Sequence, residues 1–114
     1  MDLEVQKYLY DIQQACQLIN QFVADQSFQS YRANDIVRSA VERQFITVGE
    51  ALNQTIKRSP DLEQHIADAR KIVDFRNLLT HSYGVVSDAV VWDIIQTSLP
   101  QLIRDVDKLM GSAL

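Results

Sequence analysis

The side chains best suited to chemistry lie together in one short stretch, DFRNLLTHSYG, at positions 74–84. It holds Arg76, Asn77, Thr80, His81 and Tyr83, in a chain with only two histidines. A guanidinium offers a planar set of donors that matches phosphate oxygens, and an imidazole can take up or release a proton near neutral pH. An asparagine amide can fix a base, a sugar or the imidazole. These residue types together indicate chemistry on a phosphodiester.

A helix over residues 68–83 would separate this stretch into two faces. At about 100° per residue, the polar face holds Asp74, Arg76, Asn77, Thr80 and His81, with Tyr83 at its border. The core face holds Ile72, Phe75, Leu78 and Leu79. The alternative is that this is the ordinary solvated face of an amphipathic helix.

The angular positions of Arg76 and His81 complicate a shared site. They lie about 140° apart on an ideal helix, so one straight helix cannot aim both at the same phosphorus atom. Either the helix end distorts near Gly84, or two copies of the helix face each other. A homodimer is the simpler solution, with leftover apolar surface as its interface.

Other chemistries find little support in the sequence. His65 and His81 lie on different segments, carboxylates do not recur as a di-metal bundle needs, and no glycine-rich phosphate loop occurs. We therefore expect no metal and no cofactor, and we place His65 on the surface. Cys16 follows the apolar stripe of the first helix, so it is interpreted as a small buried hydrophobe.

Length and charge set the wider limits. The 114 residues predict a single domain, 1–114, and no apolar run could cross a membrane, so we expect a cytoplasmic protein.

The net charge is −4, but residues 30–84 hold eight basic side chains against seven acidic ones, and the flanks hold three against eight. This distribution permits a phosphate-binding patch on an acidic protein.

Apolar residues recur at helical spacing through most of the chain, and no alternating strand pattern is sustained. The sequence thus predicts an all-α, antiparallel bundle of four to five helices, at roughly 2–25, 35–58, 60–67, 68–83 and 87–111. Asn34 or Asp35 would cap the second helix, and Gly49 inside it suggests close approach of a neighbouring backbone. Gly84 would stop the fourth helix, and Pro100 would bend the last.

The spacing Arg76, four residues, His81, one residue, Tyr83 resembles the Arg-x4-His-x-Tyr signature of HepT toxins in the HEPN superfamily of helical bundles. Asn77 matches the superfamily's preference for a polar residue after the arginine. VERQFITVGEAL on the second helix, the short helix after Pro60 and the long last helix also resemble the family's layout. The resemblance covers essentially the whole chain.

The resemblance implies a metal-independent endoribonuclease that acts as the toxin of a type VII-like toxin–antitoxin system. Arg76 would hold the scissile phosphate, His81 would act as general acid or base, and Asn77 would support the site. The 2′-hydroxyl of the RNA would attack and leave a cyclic phosphate, so RNA rather than DNA is the expected substrate. In the family, two active sites meet across a dimer cleft, which agrees with the angular argument above.

Tyr83 carries a further implication of the resemblance. In HepT-like proteins the tyrosine two residues after the histidine accepts AMP from the partner antitoxin, a minimal nucleotidyltransferase of the MntA type. Bulky anionic AMP beside the site would block RNA and repel its phosphates. From the residues alone, Tyr83 could instead close the helix with its ring half-buried.

Two other functions remain open from the residues. The chain could be a non-catalytic dimeric bundle that binds a nucleotidyltransferase partner or a nucleotide, although the presence of both Arg76 and His81 disfavours this. It could also be a structural coiled-coil module, which the number of caps and interruptions disfavours.

Overall fold

The computed structural model describes residues 1–113, except for the side chains of Tyr83, Ser112 and Ala113. The described chain is helical and contains no β-strand. Its α-helices are α1 (Leu3–Val23), α2 (Phe28–Ala33), α3 (Asp35–Arg58), α4 (Ala69–His81), α5 (Asp88–Gln96) and α6 (Ser98–Ala113), with 3-10 turns at Pro60–His65 and Tyr83–Val85. The all-α prediction is confirmed.

The long helices pack antiparallel, as predicted. Arg58 at the end of α3 forms ion pairs with Asp2 and Glu4 at the start of α1. Phe45 of α3 meets Phe75 of α4 edge to face, with ring centroids 5.3 Å apart. These contacts join opposite ends of α1 and α3 and set α4 alongside the middle of α3.

Helix α6 lies along the other side of α1. Gln13 donates a hydrogen bond of 2.8 Å from Nε2 to Oδ1 of Asp107, and the apolar stripes of both helices are buried. Cys16 is fully buried within this core, and burial raises the pKa of its thiol to about 12. The interpretation of Cys16 as a buried hydrophobe is confirmed, since an inert protonated thiol is what such burial produces.

The starts of the two longest helices follow ordinary capping chemistry. Asp2 accepts from the backbone N–H of Glu4 at 2.7 Å, and Asn34 accepts from the N–H of Val37 at 3.0 Å. Each side chain satisfies a donor that the first helical turn leaves unpaired. The predicted bounds of α3, 35–58, are confirmed, and of the two predicted caps, Asn34 or Asp35, the structure has Asn34.

A short helix, α2, stands where the sequence predicted only an irregular connection. Ser27 and Ser30 form a reciprocal capping box at its start. Tyr31 of α2 is buried with its ring 5.3 Å from that of Trp92 in α5. Six residues are too few to show helical periodicity, so packing against α5 rather than local pattern stabilises this turn.

The predicted last helix, 87–111, is divided in two. Thr97 separates α5 from α6, whereas the sequence predicted a bend at Pro100. The proline ring excludes the carbonyl of the residue four positions earlier, which is Gln96, the last residue of α5. The break therefore lies one turn before the proline, and Pro100 itself sits in the first turn of α6.

The segment around the motif helix also differs from prediction at both ends. The predicted helix 60–67 is a 3-10 turn, Pro60–His65, and Asp68 precedes α4 in the left-handed region with φ 61°. Helix α4 ends at His81, with a last backbone bond of 2.8 Å from the N–H of Ser82 to the carbonyl of Leu78. It was predicted to reach 83 and stop at Gly84, but Gly84 lies inside the next 3-10 turn and has no positive φ.

No helix among residues 1–113 combines the length and the apolar character needed to cross a bilayer.

A partly buried polar cluster joins α2, α3 and α5. Arg38 of α3 lies with its Nε 3.7 Å from Oδ1 of Asp88 at the start of α5, and it also pairs with Asp35. Burial and the nearby Asp88 raise the pKa of Glu42, and Arg38 offsets only part of this. Burial likewise raises the pKa of Tyr31, whose hydroxyl has no hydrogen-bond partner in the described structure.

The raised pKa of Glu42 makes the free energy of unfolding depend on pH. Because the folded state holds this proton more tightly than the unfolded chain, stability falls as pH rises from below the unfolded pKa through the folded one. Glu42→Gln mimics the protonated form, so we expect it to stabilise the protein at pH 7 and to have less effect at pH 4. Urea unfolding at both pH values measures this. Exposed Glu50→Gln on the same helix is the control, and an equal pH response of the two variants would contradict the prediction.

Candidate active site

The stem of Arg76 lies where α4 crosses Gly49 of α3. A Cβ atom at position 49 would stand 2.2 Å from Cβ and 2.7 Å from Cγ of Arg76, and 3.4 Å from the carbonyl oxygen of Ile72. Real atoms cannot approach so closely, so the missing side chain of Gly49 is what lets α4 pack here. The close approach predicted at Gly49 is confirmed, and its neighbour is the arginine of the motif.

The guanidinium of Arg76 has only part of its hydrogen-bonding capacity satisfied. The side chain is half-buried, its Nη1 donates to Oδ1 of Asn77 at 2.8 Å, and its Nε is buried with no partner in the described structure. Exposed Asn77 therefore orients the guanidinium. A half-buried arginine without a carboxylate partner keeps its positive charge available to an anion.

Thr80 and His81 have different surroundings. The hydroxyl of Thr80 donates to the carbonyl of Arg76 at 2.9 Å, so it is used within the helix. His81 is exposed and ends α4. Since the helical bond between Ser82 and Leu78 is kept, α4 remains regular through His81. The described helix thus has no distortion that turns His81 toward Arg76.

Tyr83 follows two residues later in the 3-10 turn Tyr83–Val85. Its side chain lies outside the described part of the structure, so its assignment from the sequence stays a prediction. The other assignments, Arg76, His81 and Asn77, are also predictions of role, although the structure now gives their surroundings.

Two apolar side chains in or just after the motif are exposed. Leu78 was predicted to face the core but is 46% exposed, and Val85 beyond the end of α4 is 76% exposed. Helix α4 packs chiefly on α3, so its buried face is narrower than the helical wheel suggested. Leu78 lies about 60° from His81 around the helix, so apolar surface beside His81 is available for an interface.

One concave site of the described chain lies away from the motif and includes none of its residues. It is a groove between α1 and α3, which we call the α1–α3 groove, with a volume of about 390 Å³. Its lining residues are Tyr8, Asp11, Arg43, Thr47, Glu50, Ala51 and Gln54. Sequence reasoning missed this groove; the only local signal for it is the recurrence of polar side chains along one face of α3.

Comparison with known proteins identifies the family. The model of the family described as "Ribonuclease HepT-like" matches residues 12–109. The chain therefore belongs to the HepT-like family, within the HEPN superfamily. No solved structure matches it significantly.

Curated relatives agree with this assignment. The chain is 25% identical over 108 residues to "Putative RNase MJ1380" of Methanocaldococcus jannaschii, covering 91% of this chain and 94% of that protein. It is 28% identical over 102 residues to "Probable ribonuclease HepT" of Thermococcus cleftensis, covering 90% and 92%. "Putative RNase TTE0752" of Caldanaerobacter subterraneus is 24% identical over 103 residues, covering 90% and 91%. Family and relatives together support a ribonuclease.

The packing at Gly49 yields a test by substitution. Gly49→Ala places a methyl group on the stem of Arg76, whose Cβ cannot move without α4, so we expect a loss of roughly 1–3 kcal/mol in the free energy of unfolding. Gly111→Ala is the matched control, because a Cβ there meets nothing within 4 Å. In a helix this change stabilises by up to about 1 kcal/mol. Urea unfolding measures both, and equal stabilisation of the two variants would contradict the packing argument.

Proposed function

We propose that the protein is a metal-independent endoribonuclease, and that it acts as the toxin of a toxin–antitoxin pair. The observation that carries the proposal is the arrangement of Arg76: its stem is packed against Gly49, its guanidinium is held by Asn77, and it has no carboxylate partner in the described structure. His81 ends the same helix and is exposed.

The proposed reaction uses the RNA's own hydroxyl as nucleophile. The 2′-oxygen attacks the adjacent phosphorus and gives its proton to a general base, and the bond from phosphorus to the 5′-oxygen breaks as that oxygen takes a proton from a general acid. The products are a 2′,3′-cyclic phosphate and a 5′-hydroxyl. Arg76 would neutralise charge on the phosphate oxygens, and His81 would serve as acid or base. DNA lacks the attacking hydroxyl and would not be cut.

A complete site calls for two copies of the chain. Helix α4 is regular between Arg76 and His81, which keeps the two side chains about 140° apart. Pairing two protomers through α4 would let Arg76 of one chain and His81 of the other face one phosphate. The exposed apolar side chains of Leu78, next to His81 around the helix, and of Val85 supply apolar area that such a homodimer could bury.

The catalytic assignment is tested with purified protein on RNA. His81→Ala should lower the cleavage rate by about 100-fold or more, and Arg76→Lys should also lower it, because lysine keeps the charge but loses the planar fork of donors. Thr80→Ala, on the same helix face, should cut normally since its hydroxyl bonds only within the helix. Cleavage should persist in EDTA, leave cyclic phosphate ends and spare DNA of the same sequence.

Activity that survives His81→Ala or disappears in EDTA would refute this mechanism. If the wild-type protein binds a nucleotidyltransferase but cuts no RNA, the non-catalytic bundle is the better account.

We further propose that Tyr83 is the point of control. A nucleotidyltransferase antitoxin of the MntA type would join the phenolic oxygen to the α-phosphorus of ATP, with loss of pyrophosphate and of the phenolic proton. The backbone of Tyr83 lies in the turn that begins two residues after His81. AMP attached there would bring negative charge beside Arg76 and His81 and would compete with RNA.

Intact mass spectrometry tests this control. After co-expression with the candidate nucleotidyltransferase, the wild-type protein should gain mass in whole AMP units and lose its cleavage activity. Tyr83→Phe should gain no mass and stay active. If a transferase shown to be active adds nothing, inhibition would have to come from binding alone.

A further inference from the structure

The α1–α3 groove has one long polar wall. Arg43, Thr47, Glu50 and Gln54 line it from α3, and their spacing of four, three and four residues keeps them on one helix face over about 16 Å. Tyr8 and Asp11 line the opposite wall from α1, where the ring of Tyr8 is half-buried against the core.

The groove lies beside the Arg76 site. Gly49 faces α4, and Glu50, the next residue, points about 100° further around α3. On the surface of an α-helix, this angle separates the side of α3 that faces α4 from the side that bears Glu50 by on the order of 10 Å. An RNA strand with one phosphate at Arg76 would therefore need only to cross the surface of α3 to place a neighbouring nucleotide in the groove.

Most polar side chains of the groove are unengaged; Thr47 is the exception, since its hydroxyl donates to the backbone carbonyl of Arg43 at 3.4 Å. Among the described side chains, those of Arg43, Glu50 and Gln54 make no hydrogen bond or ion pair. Asp11 has only an exposed contact with Lys7 at 4.0 Å. By contrast, Arg58 and Arg70 are paired with carboxylates. A groove that gathers unpaired donors and acceptors beside an aromatic ring is suited to a polar, planar ligand.

The charges of the groove point to a base rather than a phosphate. Asp11 and Glu50 would repel a phosphate, but ionised carboxylates accept hydrogen bonds and can read amino and imino donors on a base edge. The ring of Tyr8 offers a surface on which a base can stack. Arg43, at the end of the α3 wall, could hold the phosphate next to that base.

We propose that the α1–α3 groove binds the base of a nucleotide next to the cleaved bond and selects guanine. This inference rests on the proposed ribonuclease function. Guanine carries its N1–H and its 2-amino group side by side, so one carboxylate can accept from both. Uracil has a single N–H between two carbonyl oxygens, and these would face the carboxylates. Tyr8 and Glu50 are thus specificity-determining residues rather than catalytic ones.

Cleavage of a random-sequence RNA pool, followed by sequencing of the ends, tests the selection. Wild-type protein should favour guanine over uracil at one flanking position by about tenfold. Glu50→Gln should abolish most of that preference without preventing cleavage. Tyr8→Leu should raise KM, and Tyr8→Phe, which keeps the ring, should not. Asp25→Asn, an exposed acid outside the groove, is the charge-matched control and should behave as wild type.

A second measurement separates this inference from the proposed function. In NMR titrations of the His81→Ala variant, guanosine monophosphate should shift the backbone amides of Thr47 and Glu50, and uridine monophosphate should shift them less. Active cleavage with the same base profile in wild type and Glu50→Gln would overturn the groove assignment and leave the ribonuclease intact. A wild-type protein that cuts no RNA would instead refute the ribonuclease proposal. In that case, the groove assignment would also fail if guanosine monophosphate shifted the backbone amide of neither Thr47 nor Glu50.

Discussion

The contact between Gly49 and Arg76 is the constraint on which the site depends. Helix α4 can approach α3 this closely only because position 49 has no side chain, and the stem of Arg76 occupies the space that a Cβ would need. The same approach buries Phe45 against Phe75. A glycine in a helix interior costs about 1 kcal/mol relative to alanine, so the packing that it permits has to offset this cost. This one contact therefore sets how closely α4 packs on α3, and it also sets the position from which the side chain of Arg76 extends.

Because the aliphatic part of the Arg76 side chain is held in place, its guanidinium can adopt few positions. Asn77 takes one donor of the guanidinium, and Nε is buried without a partner among the described residues. A buried unpaired donor is unfavourable by itself, which is the kind of local cost that functional sites carry. An approaching anion would find a cation that is already oriented, which lowers the reorganisation that the reaction needs. His81, exposed at the helix end, has no comparable restraint within the described chain.

The sequence predicted the long elements and the motif helix, because these have strong periodicity and recognisable caps. It did not predict α2, which depends on packing of Tyr31 against Trp92, and it placed the last break at Pro100 rather than one turn earlier at Thr97. It also placed Leu78 in the core, since a helical wheel shows the direction of a side chain but not the width of the neighbouring helix. For the site, helical periodicity predicted that the polar side chains of the motif share one face of α4. It could not predict that Arg76 packs against Gly49, because this contact depends on how two helices pack in the folded protein.

The charge balance limits how an acidic protein can bind RNA. With a net charge of −4, non-specific attraction through counterion release has little to draw on, so a few well-placed groups must supply affinity. Arg76 supplies one phosphate contact, and its position on α4 makes it dependent on α3. The polar side chains Arg43, Glu50 and Gln54 lie on a neighbouring face of that same helix. Helix α3 thus joins the phosphate contact to the groove, and any shift of α3 relative to α4 would change both together.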